Sequence, residues 1–205
     1  MKVLLVNGSP HKNGCTNRAL EEVAFALQKQ GVETEIFWIG AKPVSGCLGC
    51  ATCRKLGKCV VDDVVNEFAK KLSEADGFVF GSPVHYASGG GAMTAFMDRL
   101  FYSASKDLAY KPAAAIVSCR RGGASSTFDQ MNKYFTINNM PVVSSNYWNQ
   151  VHGNVASEVE KDEEGLQTMR ILGYNMAWLM RCIELGKTAG VEPEKENKIR
   201  TNFIQ

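Results

Sequence analysis

No apolar run in this sequence approaches the ~20 residues that a membrane-spanning helix needs, and neither sign of charge is in marked excess. Lysine and arginine number 23 against 21 aspartates and glutamates, a net charge of +2. So small an imbalance argues against a basic nucleic-acid binder and against an acidic tail protein. The start, Met1-Lys2-Val3-Leu4-Leu5-Val6, turns at Asn7-Gly8-Ser9-Pro10. That apolar stretch is too short for a secretory signal, and no small-residue cleavage site follows it. Internal repeats and low-complexity linkers are also missing. With 45% hydrophobic and 21% charged residues in 205, the composition excludes disorder and collagen-like order. A chain of this length buries roughly 70% of its unfolded surface. A soluble, cytoplasmic protein is expected, with neither nucleic acid nor membrane as partner. Residues 1–190 read as one domain with a cysteine-rich insertion at 43–61, and 191–205 as a charged surface tail containing Pro193.

Cysteine, by contrast, is plentiful and unevenly placed. Seven is an odd number, and Cys47, Cys50, Cys53 and Cys59 fall within thirteen residues, while Cys15, Cys119 and Cys182 are scattered. A secreted disulfide framework spreads its cysteines through a smaller chain; crowding like this favours a metal or redox role.

Elsewhere the chain alternates short apolar runs with helical periodicity. Strands are expected at 3–6, 35–39, 77–81, 113–118 and 141–144. Between them, Leu20, Val23, Ala24 and Leu27 recur at helical spacing before Gly31, and Val64, Val65, Phe68 and Leu72 follow a cap at Asp62-Asp63. Met93 to Phe101, Phe128 to Phe135 and a long Met-rich stripe from Leu166 to Ile183 mark three more helices. Five strand–helix units imply an α/β parallel sheet with helices on both faces, and ligands in such sheets bind beyond the carboxyl ends of the strands.

The loops at those ends are therefore the candidate sites. The first runs Asn7-Gly8-Ser9-Pro10-His11-Lys12-Asn13-Gly14-Cys15-Thr16-Asn17. It offers hydroxyls and helix-start amides to an anion, or it is an ordinary capped turn with His11 and Lys12 as solvated charges. Its spacing matches neither a Walker loop nor GxGxxG. The third-strand loop, Ser82-Pro83-Val84-His85-Tyr86-Ala87-Ser88-Gly89-Gly90-Gly91, and the fourth-strand loop, Ser118-Cys119-Arg120-Arg121-Gly122-Gly123, are small, and their glycines let backbone approach a flat ligand. Arg120 and Arg121 read equally as ligand contacts or as a solvated pair.

Taken together, Gly8-Ser9-Pro10…Gly14-Cys15-Thr16, Gly81-Ser82-Pro83-Val84 and Ala95-Phe96-Met97-Asp98-Arg99 resemble the flavodoxin-like NAD(P)H-dependent FMN reductase superfamily. Within it, Cys47-Leu48-Gly49-Cys50…Gly57-Lys58-Cys59…Asp62-Asp63 resembles the compact cysteine segment of iron–sulfur flavoproteins. The resemblance implies a doubly wound, five-stranded, flavodoxin-like sheet in the order 2-1-3-4-5, with FMN at its switch edge. It places Ser9, His11, Cys15, Thr16 and Asn17 at the FMN phosphate, Pro83, Val84, His85 and Tyr86 beside the ring, and Ser118, Arg120, Gly122 and Gly123 at its pyrimidine side. Cys15 stands where the family commonly has Asn, and a thiol is a weak donor; His85 stands where an aromatic is usual.

The implied function is transfer of hydride from NAD(P)H to FMN and on to a small-molecule acceptor (a quinone, an azo compound or free flavin) or a protein. A homodimer or homotetramer is implied as well. No catalytic triad is visible, and chemistry carried by a cofactor needs none. The spacing CxxCxxCx5C can converge on a [4Fe–4S] cluster held by Cys47, Cys50, Cys53 and Cys59. It can equally be a folded loop without metal, whereas structural zinc usually takes two separated pairs. Two rival functions stand beside the enzyme: an FMN electron carrier without NAD(P)H turnover, and a cysteine-based metal-binding redox sensor. His152 and Trp148 face a substrate over the flavin or simply pack, and Gly186-Lys187-Thr188 ends a helix without the upstream glycine of a phosphate loop.

Overall fold

The computed structural model describes residues 1–197, 199, 201 and 203. In chain order the elements are β1 (Lys2–Asn7), α1 (Cys15–Lys29), β2 (Glu33–Trp38), α2 (Cys53–Leu56), α3 (Val64–Ala69), β3 (Gly77–His85), β4 (Ser88–Gly89), α4 (Gly91–Ser103), α5 (Ser105–Leu108), β5 (Ala113–Cys119), α6 (Ala124–Ile137), β6 (Gln150–His152), α7 (Ala156–Val159) and α8 (Glu163–Thr188). Among the described residues no helix is long and apolar enough to cross a membrane. The described residues of 191–205 are exposed and outside helix and strand; the remainder of the expected tail lies outside the described residues.

The strands line up as β2-β1-β3-β5-β6, all parallel, with β4 paired antiparallel to the end of β3. Because successive strand side chains point to opposite faces, each central strand feeds two cores. Leu4, Val6, Phe78, Phe80, Ala115 and Val117 pack under α3, α4 and α6. Val3, Leu5, Val79, Ala114 and Ile116 pack under α1 and α8. Residue-by-residue alternation of this kind explains why these strands read as continuous apolar runs. The chain leaves β1 for β2 over one face and β2 for β3 over the other, so the loops after β1 and β3 diverge and leave a crevice between them.

Two expectations from the sequence need correction. The fifth parallel strand is Gln150–His152, not 141–144. Val142 makes only an isolated bridge to Ala113 before the chain bulges away. Asn149 closes the gap from within: its side-chain amide donates to the Ala115 carbonyl at 3.0 Å, and its own carbonyl accepts from Val117 N at 2.9 Å. A buried side chain and its own backbone carbonyl thus share the pairing that an uninterrupted strand would do. The third strand also runs on through Pro83 to His85, where a two-residue turn with Tyr86 at φ 57° starts β4. The sheet order itself matches the expected one, with β4 as an added hairpin arm.

α1 and α8 approach closely at Gly173. A Cβ there would lie 2.7 Å from the Ala26 Cβ and 2.8 Å from the Val23 carbonyl oxygen. Backbone cannot give way as a flexible side chain can, so Gly173→Ala overpacks the interface by about 1–3 kcal/mol. The ~1 kcal/mol of helix propensity gained by alanine offsets part of this. The remainder, up to about 2 kcal/mol, predicts a net fall in Tm of up to about 8 °C, at about 2–4 °C per kcal/mol for a chain of this size, measured by thermal denaturation.

Candidate functional site

The loop after β1 is shaped by Asn7, the last residue of the strand and fully buried. Its Oδ1 accepts from Ser9 N at 3.0 Å, while Nδ2 donates to the Lys12 carbonyl at 3.0 Å and to Asn17 Oδ1 at 3.3 Å. Ser9 Oγ in turn accepts from His11 N at 3.1 Å, and the Trp38 indole donates to the Ser9 carbonyl at 2.8 Å. Gly8 is required where the loop begins, because a Cβ would lie 2.8 Å from the Gly81 carbonyl oxygen. This wrapping leaves the first turn of α1 open. Asp63 caps α3 and Asp162 caps α8 through their own carboxylates, but α1 starts at Gly14 with no side-chain cap and no acidic residue in its first turn. Free amides at the positive end of a helix dipole suit an anion.

That helix end forms one wall of a cleft of about 680 Å³ at the carboxyl edge of the sheet. Ser9, His11, Cys15 and Thr16 come from the first loop, Pro83, Val84 and His85 from the end of β3, and Ser118 and Arg120 from the end of β5. The Thr16 and Ser118 hydroxyls are 2.8 Å apart and tie the first turn of α1 to β5. Four of the sequence-derived candidates lie elsewhere. The Asn17 side chain is held between Asn7 and Glu21. Tyr86 stands fully in solvent. Gly122 and Gly123 precede α6, where Gly123 has φ 86° and a Cβ would press on Val84 at 2.8 Å. Gly123 therefore shapes the wall from behind.

Lys12, Asn13 and Gly14 of the first loop and Cys119 at the end of β5 also line the cleft. The remaining stretch, Gly153, Asn154, Val155 and Ala156, adjoins the start of α1 and was not legible from the sequence. Its position follows from β6 starting at Gln150, so moving the fifth strand from 141–144 moves its loop as well. The cleft's two thiols are both pushed above their ordinary values by burial, with Cys15 donating to the Gly153 carbonyl at 3.4 Å and Cys119 Sγ lying 3.4 Å from His152 Nδ1. Neither is poised as a thiolate at neutral pH. His152 does not line the cleft, and Trp148 is half-exposed outside it.

A second, smaller cavity lies against α4. Cys47, Cys50, Cys53 and Cys59 all line it, with Leu48, Val60, Val61 and Tyr102 among the apolar surroundings. Among the described residues no three His, Cys, Asp or Glu side chains are placed to share a single metal ion. Cys47 and Cys50 are exposed, and Thr52 draws the Cys50 thiol down from its ordinary value. Cys59 is the most firmly held. Asn66, buried on α3, accepts from Cys59 N at 3.1 Å and donates to its carbonyl at 2.9 Å. Arg99 of α4, its side chain 1% exposed, reaches the Cys59 sulfur and forms a bidentate pair with Asp63. Arg99 stands in the resembling Ala95–Arg99 motif, yet its role does not follow from the sequence, since one arginine within an apolar helical stripe carries no sign of its partner 36 positions away.

The family model of NADPH-dependent FMN reductases matches residues 1–154. The chain belongs to that family. Among curated relatives, this FMN reductase family member is 32% identical over 195 residues to an iron–sulfur flavoprotein of Methanocaldococcus jannaschii, covering 90% of this chain and 100% of the relative. It is 28% identical over 188 residues to an iron–sulfur flavoprotein of Methanosarcina thermophila, covering 90% and 97%. Solved structures share the fold: RosB with a bound intermediate aligns at TM-score 0.71 and 16% identity over 100% of this chain and 92% of that one. An archaeal flavodoxin aligns at TM-score 0.61 and 18% identity, over 88% and 99%. The fold of this family member is flavodoxin-like, and its family is one of FMN-using oxidoreductases.

Proposed function

We propose that the chain binds FMN in the cleft of about 680 Å³ and acts as an NAD(P)H-dependent oxidoreductase. The observation that carries this is the uncapped start of α1 opening into that cleft. The volume falls within the about 300–1,000 Å³ typical of cofactor sites. In this reading the amides of Cys15, Thr16 and Asn17, with Ser9 and His11, hold the phosphate. Pro83, Val84 and His85 run along the ring with Tyr86 at the solvent end of that turn, and Ser118 and Arg120 close its polar edge, with Gly122 and Gly123 shaping the wall behind them. When bound, FMN supplies hydride acceptance from NAD(P)H and electron release to a small-molecule or protein acceptor. The protein's share is to orient the ring and to exclude thiol side reactions, for which the neutral Cys15 and Cys119 are suited.

The same proposal gives the second cavity a [4Fe–4S] cluster. Each iron of such a cube takes one thiolate, so its ligands stand farther apart than those around a single ion. Four thiols lining one apolar-walled cavity without closing on a single point fit that donor set. When bound, the cluster supplies one-electron transfer. Residues 1–190 would work as one unit, with 43–61 as the inserted cluster loop. The chain would act as a homodimer or homotetramer in the cytoplasm, where its seven unpaired cysteines stay reduced. Exposed Trp178 and Leu185 on α8 offer apolar surface for a second copy.

Comparing FMN with riboflavin tests the phosphate site. Charge-assisted bonds and the helix dipole together supply about 3 kcal/mol, so calorimetry should find FMN at least about a hundredfold tighter. Equal affinities would overturn the assignment.

A further inference from the structure

We propose that Arg99 is a positioning residue that sets the redox poise of the cysteine loop through the Cys59 sulfur; this rests on the reading of that loop as a cluster site. A guanidinium has five N–H donors, and all five are engaged here. Nε donates to Cys59 Sγ at 3.2 Å. Nη1 donates to Asp63 Oδ2 at 2.6 Å and to the Ser45 carbonyl at 3.3 Å. Nη2 donates to Asp63 Oδ1 at 2.8 Å and to the Val61 carbonyl at 2.7 Å. One side chain thereby joins both flanks of the cysteine loop, the cap of α3 and a single sulfur.

The selection of that sulfur is what points beyond scaffolding. Asn66 already fixes the backbone of Cys59, so the loop's exit does not need a further bond to the thiol. An electron entering a cluster adds one negative charge, and N–H···S bonds and nearby positive charge stabilise the more negative state. Arg99 therefore favours the reduced cluster, and Asp63 tempers it by partly neutralising the same guanidinium.

Removing the two partners should move the midpoint in opposite directions. Arg99→Gln removes the charge and should shift electron sharing about tenfold towards the flavin, a fall of about 59 mV in cluster midpoint for one electron. Asp63→Asn keeps a capping oxygen for Val65 N and leaves Arg99 uncompensated, so the midpoint should rise. The measurement is a dithionite titration followed by electron paramagnetic resonance on wild type and both variants, each loaded anaerobically with iron and sulfide. FMN content shows in each that the flavin cleft is intact.

Midpoints that move in the same direction, or not at all, would reduce Arg99 to a structural brace and overturn the proposal. If circular dichroism shows that Arg99→Gln does not fold, the Asp63→Asn midpoint decides: a rise supports the proposal, and a fall or no change overturns it. A wild-type protein that takes up neither iron nor sulfide would overturn the cluster reading itself, and this inference with it.

Discussion

Cys15→Asp is expected to weaken FMN binding by about a thousandfold while leaving the FMN-free protein as stable as wild type or slightly more so. The two effects come from the same electrostatics with opposite sign. A carboxylate in the first turn of α1, which has no acidic residue of its own, complements the helix dipole by about 0.3–1 kcal/mol. It would also stand where the phosphate binds, and two like charges about 4 Å apart repel by about 4 kcal/mol at an effective dielectric near 20. The weak thiol bond to the Gly153 carbonyl is lost, and Glu158, which already opposes negative charge at Cys15, takes back part of the dipole gain. Fluorescence titration with FMN and a thermal melt without it separate the two signs. Cys15→Asn, the residue the resembled family commonly has there, should bind at least as tightly as wild type. If Cys15→Asp bound FMN normally, the phosphate would have to sit away from this helix end.

The second large effect is expected at Cys50. Cys50→Ser should abolish iron and sulfide uptake while FMN content and stability stay at wild-type values. Cys50 is exposed and lies outside helix and strand, and surface substitutions away from caps and cores usually stay within about 0.5 kcal/mol. A serine oxygen is a poor substitute for a thiolate on a soft metal site. Cys59→Ser would be less clean, because it also alters the Arg99 contact. Iron and acid-labile sulfide assays on the reconstituted variant decide the matter. Undiminished uptake would mean that the cluster, if formed, does not use the whole quartet.

The sequence exposed the fold where one residue pattern answers to one local geometry. Leu4 and Val6 alternate with Val3 and Leu5, the i, i+3, i+4 face of α1 ends at Gly31, and Asp63 caps α3 through Val65 N as its position suggests. It misplaced the fifth strand because 141–144 has the better β-branched composition, while the pairing of β6 depends on a buried Asn149 that no periodicity reveals. The Ser9 and Thr16 part of the cleft was legible from its turn chemistry, and Cys15 from the family resemblance. The 153–156 wall was not, because its place is inherited from β6. Asn7 is the instructive case: it opens the loop motif, yet its organising bonds to Ser9, Lys12 and Asn17 become visible only in three dimensions. Arg99 shows the same limit at the cysteine loop, where the deciding partner is remote in sequence.

In the proposed function the cleft brings NAD(P)H to a bound flavin, and anaerobic stopped-flow mixing decides whether it does. Protein loaded with FMN is mixed with NADPH, then with NADH, while the oxidised flavin band is followed without oxygen. Bleaching is expected that is stoichiometric with the bound FMN and saturates with at least one of the two donors. A flavin that dithionite bleaches but neither nicotinamide reduces would contradict it, and would make the protein an FMN electron carrier.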